Sequence, residues 1–391
     1  MTKSVSPISH DSERRAKRPC HRDPNGRERE RFAGLHRLAG TVLLAFGMNP
    51  CTVGIIGYGW AATAHIDAIN QGTGGRVTTV CSSRPLDPAE LSARHGTPIK
   101  VVRDVAALLA DPAIDVVSIA GYPWNHAVLA VAAAEAGKHI ILEKPMVLRL
   151  PDLRRVEAAV RAAGVRFCIC FECRWSNQFL GIKAMLDENR IGRVHYGEVD
   201  YYHGSGPWYG QYRWNITKRG GGSSLLSAGG HALDALLLCM PGPVEEVTAY
   251  ATQSDHPDFQ KYEYPTTSVT LLKFADGRVG KCASVIDCLQ PYYFHTHLVG
   301  GNGSILDQKF AINTPGYDRK AWTQSDMKSI DSGDVADHPY RAQFNAFFSA
   351  SAEGQDMPLS GLREAVATHE VIFAADRSIA EKRPVKLAEL R

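Results

Sequence analysis

A lysine flanked by glutamate and proline, Glu143-Lys144-Pro145, closes the apolar run His139-Ile140-Ile141-Leu142. An ammonium at the end of a buried strand can hydrogen-bond a substrate oxygen and stabilise the charge developing there. Burial also lowers an ammonium's pKa and brings it within reach of proton transfer. Much further along, His231 follows Gly229-Gly230, and Asp234 comes three residues later. Imidazole titrates near neutrality, so His231 is the leading general acid/base candidate. If this stretch is helical, Asp234 shares its face and can orient the ring. Lys144 and His231 are the expected catalytic residues, while Glu143 is expected to orient Lys144 or a cofactor rather than act as a base.

These groups need elements to position them. Upstream, Gly57-x-Gly59-x-x-Ala62 lies between the strand-like Thr52–Ile56 and a helical stretch over 61–71. Gly57 permits a tight turn, Gly59 lets the backbone approach a pyrophosphate, and Ala62 lets helix and strand pack closely. The helix start at Trp60 and Ala61 then offers amide donors and the positive end of a dipole to phosphates. Strands are expected at 77–82, 116–120 and 140–142, with a helix over 125–136. Alternating strands and helices imply a parallel sheet covered on both faces. A glycine fingerprint followed some three β-α units later by a strand-end Glu-Lys-Pro points to a nicotinamide oxidoreductase.

The second strand ends in Cys81-Ser82-Ser83-Arg84. A site specific for NAD usually places Asp or Glu there to hold the ribose hydroxyls. No carboxylate is present, and Arg84 can meet a 2′-phosphate in bidentate fashion, with Ser82 and Ser83 beside it. NADP is therefore favoured. NAD stays open, because Arg84 could instead stack on adenine or be solvated.

Several motifs resemble those of the glucose-fructose oxidoreductase / inositol dehydrogenase / MocA-like (Gfo/Idh/MocA) family. They are the glycine fingerprint, Pro123-Trp-Asn125-His126, Ala136-Gly-Lys-His-Ile-Ile-Leu-Glu143-Lys144-Pro145, Gly220-Gly221-Gly222 and Gly229-Gly230-His231-Ala-Leu-Asp234. The similarity runs from about Val53 to Leu387. It implies that Pro123, Asn125, His126 and Pro145 join the cofactor site, and the Lys144–Pro145 bond is a candidate for the cis form. It also implies an α/β chain with two folded parts. The first is a Rossmann dinucleotide-binding domain over 48–173. The second is a substrate-binding and oligomerisation domain over 174–391, with a large, mostly antiparallel sheet and terminal helices packing back on the first. Strand composition at 194–203, 244–252, 267–274, 279–286 and 294–300 agrees independently. Sheet pairing in the family implies a homodimer or homotetramer.

One departure from the family pattern stands at position 227. Many family members carry Asp four residues before the histidine, whereas this chain has Ser227. A serine cannot balance charge on His231 or Lys144, though it can hydrogen-bond a substrate hydroxyl. Tyr202 or His203 is expected to take over part of the proton relay. The remaining expected substrate contacts are Arg174, Trp214, Lys218 and Asp234, within aromatic stretches suited to the apolar face of a sugar.

The chain has 391 residues, 44% apolar and 22% charged, within the range of soluble globular proteins. Residues 1–47 hold ten Lys/Arg and five Asp/Glu, whereas the remainder holds 34 and 36. The near-neutral remainder gives no footprint for nucleic acid, and no apolar run reaches the roughly 18 residues of a membrane span. Residues 1–47 are expected to be disordered or extraneous to the fold, with Met48 a candidate start. Within them, Leu38–Phe46 resembles a short signal-peptide core but lacks a cleavage site. Nine cysteines, mostly in apolar runs, suit a reducing, cytoplasmic compartment. Alternation separates Cys168 and Cys170 from Cys173, and His295 and His297 suit sheet packing, so no metal is expected.

The leading expectation is NAD(P)-dependent hydride transfer to or from a secondary hydroxyl of a sugar, glycoside or cyclitol. A nicotinamide-assisted glycosidase working through transient oxidation at carbon 3 and a non-catalytic dinucleotide sensor remain as alternatives.

Overall fold

A computed structural model describes residues 50–316, 318–328 and 338–390. The expectations for residues 1–47 lie outside this set.

The first half forms a parallel sheet of six strands: β1 (Cys51–Ile56), β2 (Gly75–Cys81), β3 (Lys100–Val102), β4 (Val116–Ile119), β5 (His139–Leu142) and β6 (Phe167–Ile169). Their order is β3-β2-β1-β4-β5-β6. Val53, Ile55, Val116, Val117, Ile140 and Ile141 are fully buried, as expected where helices cover both faces. The strand order reverses between β1 and β4, which opens a crevice at their carboxyl ends. Gly57 turns the chain there with φ +104°. A Cβ at Gly57 would stand 2.8 Å from the carbonyl oxygen of Ala120, so space and conformation both require glycine.

The second half forms a sheet of nine strands. They are β7 (Val194–Tyr202), β8 (Val244–Thr252), β9 (Thr267–Phe274), β10 (Val279–Val285), β11 (Tyr293–Gly300), β12 (Gly303–Leu306), β13 (Lys309–Ile312), β14 (Thr323–Gln324) and β15 (Val385–Lys386). The order is β14-β13-β12-β11-β7-β10-β9-β8-β15, antiparallel throughout except between β7 and β10. Along β9 burial alternates residue by residue, so one face is covered and the other open. Leu236, Met240, Phe274, Leu298 and Ile372 belong to the core on the covered face.

Two late helices tie these layers together. Tyr340–Ala352 packs on the first Rossmann helix, Trp60–Asn70, and brings Phe344, Phe347 and Phe348 into that domain's core. Leu362–Glu381 lies along β8 and also touches the helix Leu150–Ala163. At their junction Arg174 and Asp234 form a buried pair. Arg174 donates Nε to Oδ2 at 2.5 Å and Nη2 to Oδ1 at 2.8 Å, and Nη1 to the Leu359 carbonyl at 2.7 Å. Thr368 Oγ1 donates to Asp234 Oδ1 at 2.7 Å. Asp234 is thus consumed in holding helices together and does not orient His231, and Arg174 does not face substrate. Both expectations are corrected by the same physics: a buried charge needs a partner, and these two satisfy each other.

The eight cysteines among the described residues are all free thiols. Cys168 and Cys170 pack in one apolar core and Cys173 in another. No helix among the described residues is long and apolar enough to cross a membrane.

Candidate active site

The crevice after β1, β4 and β5 continues into the second half as a cleft. Trp60, Ala61, Pro123, Glu143, Lys144 and Pro145 line it from the Rossmann side. Its opposite wall includes Tyr201, Tyr209, Trp214, Asn215, Ser227 and His231.

The dinucleotide end fits its expected ligand. The chain is extended at Gly59 before the helix Trp60–Asn70, and a Cβ at Gly59 would meet nothing within 4 Å. Open space over a helix N-terminus is what a pyrophosphate needs. Ala62 is fully buried against the sheet. At the end of β2, Ser82 is buried and its Oγ accepts from the Arg84 amide at 3.1 Å. Ser83 and Arg84 are exposed, and the Arg84 guanidinium donates to the Tyr58 carbonyl at the glycine turn. A second cation stands there: Arg103 donates Nη2 to the Ser83 carbonyl at 3.0 Å. Sequence reasoning missed Arg103 because it follows β3, remote from the fingerprint.

Asn125 is exposed in the first turn of the helix Pro123–Glu135. His126 is fully buried and does not line the cleft. Its Nδ1 lies 2.7 Å from the Pro145 carbonyl and Nε2 3.3 Å from that of Gly121. Burial above all depresses its pKa, and the neutral ring, with a single N–H, can donate to only one of these two carbonyls. The Lys144–Pro145 peptide bond is cis.

Lys144 extends into the cleft and donates Nζ to the Ser227 carbonyl at 3.3 Å. Its neighbour Glu143 is buried and accepts three hydrogen bonds. They come from His65 Nε2 at 2.9 Å, the Tyr340 hydroxyl at 2.7 Å and the Lys144 amide at 3.0 Å. Burial alone would raise its pKa, but the hydrogen bonds and the charges of His65 and Lys144 outweigh it and hold Glu143 at about 2. Glu143 is therefore a fixed anion beneath the lysine.

His231 sits at the start of the helix Gly230–Cys239, just after a π-helical turn, Leu225–Gly229. Such turns re-aim side chains and recur at functional sites. A Cβ at Gly229 would fall 2.2 Å from Ser284 Oγ, so glycine lets this turn press onto the sheet. Ser227 and His231, four residues apart, consequently both line the cleft. Burial first, then the charges of Lys144 and His338, push the His231 pKa well below its usual value. The ring is neutral at pH 7. Its nearest carboxylate is Glu172, with Nε2 3.6 Å from Oε1.

The substrate side departs from expectation at three positions. Tyr202 faces the other side of the sheet from Tyr201, stacking on Tyr293 and reaching Asp200 Oδ2 at 3.4 Å. Strand alternation makes the inward residue Tyr201. His203 stands behind Tyr209 and touches Ser205 Oγ at 3.1 Å. Lys218 is exposed outside the cleft lining. Trp214 does line it, edge-on to Tyr122 and Trp124, which stack on each other at 4.4 Å. Glu172, Gln211, Asn215, His338 and Tyr340 also line the cleft and went unread. Only Glu172 left a signal in the sequence: a lone carboxylate inside the apolar run Phe167–Cys173.

Residues 51–171 match the oxidoreductase family model with an NAD-binding Rossmann fold, and residues 179–306 match the GFO/IDH/MocA C-terminal domain. The chain belongs to the Gfo/Idh/MocA oxidoreductase family. It is 23% identical over 338 residues to a myo-inositol 2-dehydrogenase of Thermotoga maritima, covering 86% of this chain and 99% of that one. A shorter match, 34% over 149 residues, links it to the uncharacterised oxidoreductase YdgJ of Escherichia coli, covering 38% of this chain and 42% of that protein. The structure of a levoglucosan dehydrogenase in complex with NADH and levoglucosan superposes with a TM-score of 0.75 at 22% identity. That match covers 87% of this chain and all of the other, and it shares the fold.

Proposed function

We propose that this Gfo/Idh/MocA oxidoreductase interconverts a secondary hydroxyl and a ketone on a sugar, glycoside or cyclitol, with NADP favoured over NAD. The observation that carries the reading is the meeting of Lys144, Ser227 and His231 on one cleft, below aromatic walls. Bound nicotinamide supplies the hydride acceptor or donor. The protein's part is positional and protonic. Lys144 places its ammonium where a substrate oxygen gains negative charge, and anionic Glu143 keeps the lysine oriented. His231, neutral at pH 7, takes the hydroxyl proton in oxidation and returns one in reduction. Tyr209 and Trp214 present faces to the C–H surface of a ring. The sugar and cyclitol substrates named for relatives support this class. We also propose self-association through the open face of the nine-stranded sheet, and residence in the cytoplasm.

The test is a panel of sugars, glycosides and cyclitols, screened with NADP and with NAD for formation of reduced nicotinamide. Substrate-dependent reduction should fall about 10²- to 10³-fold in Lys144→Ala and His231→Ala, while dinucleotide binding persists. Tight dinucleotide binding with no reduction across the panel would refute simple dehydrogenation and favour the retained-cofactor glycosidase.

A further inference from the structure

Ser227 supplies no carboxylate to the proton-transfer site, yet a carboxylate lines the same cleft from a different element. Glu172 opens the 3₁₀ turn Glu172–Trp175 just past β6 and lines the cleft. It is 2% exposed. Its Oε1 lies 3.6 Å from Nε2 of His231 and 3.6 Å from Nε2 of His338. Its Oε2 is buried with no hydrogen-bond partner among the described residues. His338 stands edge-on to Trp60, which is 46% exposed, so the line of groups leads from His231 towards the cleft rim.

We propose that Glu172 is the carboxyl partner of His231 in proton transfer, and that the relay His231–Glu172–His338 supplies the carboxylate that Ser227 does not. The proposal rests on the hydride-transfer reading above. Glu172 acts through His231 and is a positioning and relay group. In oxidation the substrate O–H bond breaks and an N–H bond forms on His231. The imidazole's other N–H proton passes to Glu172, which must be ionised to receive it. Proton charge released this way balances the hydride leaving with the C–H electron pair. Reduction runs the same path backwards and starts from protonated Glu172.

Several charged or titratable groups surround Glu172. Burial, then the charge of Glu143, raise its pKa; Lys144 lowers it and Asp234 raises it, for a value of about 8. Cys170, Cys173, Tyr209 and Tyr340 also feel its charge. Oxidation should therefore speed up as pH rises through about 8, and reduction should slow down over the same range.

The experiment compares wild type, Glu172→Gln and Glu172→Asp on whichever substrate the panel yields, in both directions across pH. Glu172→Gln should lose the pH dependence near 8 and drop kcat about 10²-fold, with dinucleotide affinity kept. Glu172→Asp should recover part of the rate with a shifted profile. Infrared difference spectra of the protein without dinucleotide should show a protonated carboxyl band that Glu172→Gln abolishes. An unchanged rate and profile in Glu172→Gln would overturn the relay while leaving hydride transfer standing, as would absence of the band in wild type. If Glu172→Gln does not fold, wild-type profiles on Glu172→Asp decide: identical curves overturn the relay. Silence of the wild type on the whole panel overturns the hydride reading, and the relay with it.

Discussion

At the scale of single residues, what could be read early was governed by backbone constraint. Gly57, Lys144 and His231 were legible because a turn, a strand end and a helix start each restrict what can stand there. Tyr202 was misassigned because its neighbour Tyr201 has the same chemistry, and the choice between them depends on a one-residue strand phase. Arg84 presents the clearest test at this scale. Its guanidinium is exposed, tethered to the Tyr58 carbonyl, and close to Ser82. A 2′-phosphate there gains charge-assisted hydrogen bonds worth about 1.5–3 kcal/mol. Arg84→Ala should therefore weaken NADP binding roughly 10- to 100-fold and leave NAD binding nearly unchanged, as measured by quenching of protein fluorescence. Equal loss for both dinucleotides would assign Arg84 to adenine stacking. Arg103, at the neighbouring strand end, should show a smaller effect of the same sign.

Elements with a strong period were read closely. Strands β8 and β9 stand at their expected bounds. The short strands β12 to β15 carry too few residues to display a period, and the π-helical turn has no compositional signature of its own. Pairing between elements was harder to read than the elements themselves. Arg174 and Asp234 are sixty positions apart, and each looked like a substrate contact until the fold brought them together at 2.5 Å. This pair joins the turn after β6 to the helix Gly230–Cys239, and Thr368 extends it to the last helix. Removing one partner leaves a buried unpaired charge, costing about 3–5 kcal/mol. Arg174→Met should accordingly lower the urea midpoint sharply, and Arg174→Met/Asp234→Leu should recover much of the loss. A single variant as stable as wild type would show that water reaches the pair and that it carries no structural role.

The whole molecule adds effects that no one element contains. Two buried carboxylates of opposite behaviour contribute to its response to pH. Glu143 is held at about 2, below its ordinary 4.5. The unfolded chain therefore binds more protons there between these values, and stability is lost as pH falls from about 4.5 towards 2. Glu172 is raised to about 8, so the folded chain binds more protons between 4.5 and 8. Its contribution is fully present below 4.5 and lost as pH rises through about 8. Denaturant midpoints should peak on the acid side of neutrality, and Glu172→Gln should lessen the slope on the alkaline side of that peak, where Asp376, raised to about 7, also contributes. The open face of the large sheet is the other property of the whole. Tyr250 and Val269 are directly paired across β8 and β9, Leu271 lies two residues further along opposite Lys281, and Val279 stands opposite Lys273 on β10. Tyr250 is 72% exposed, Leu271 44% and Val279 43%. Large apolar side chains exposed together on one sheet face, here interspersed with Lys273 and Lys281, are a usual mark of a subunit interface. Burying it against a symmetry-related copy would remove these side chains from water at about 25 cal/mol per Å². Light scattering should therefore give a mass of at least two chains, and Tyr250→Glu/Leu271→Glu should shift it towards one, because each copy would then desolvate two carboxylates. A wild-type chain that scatters as a monomer at micromolar concentration would leave that face to solvent and remove self-association from the account.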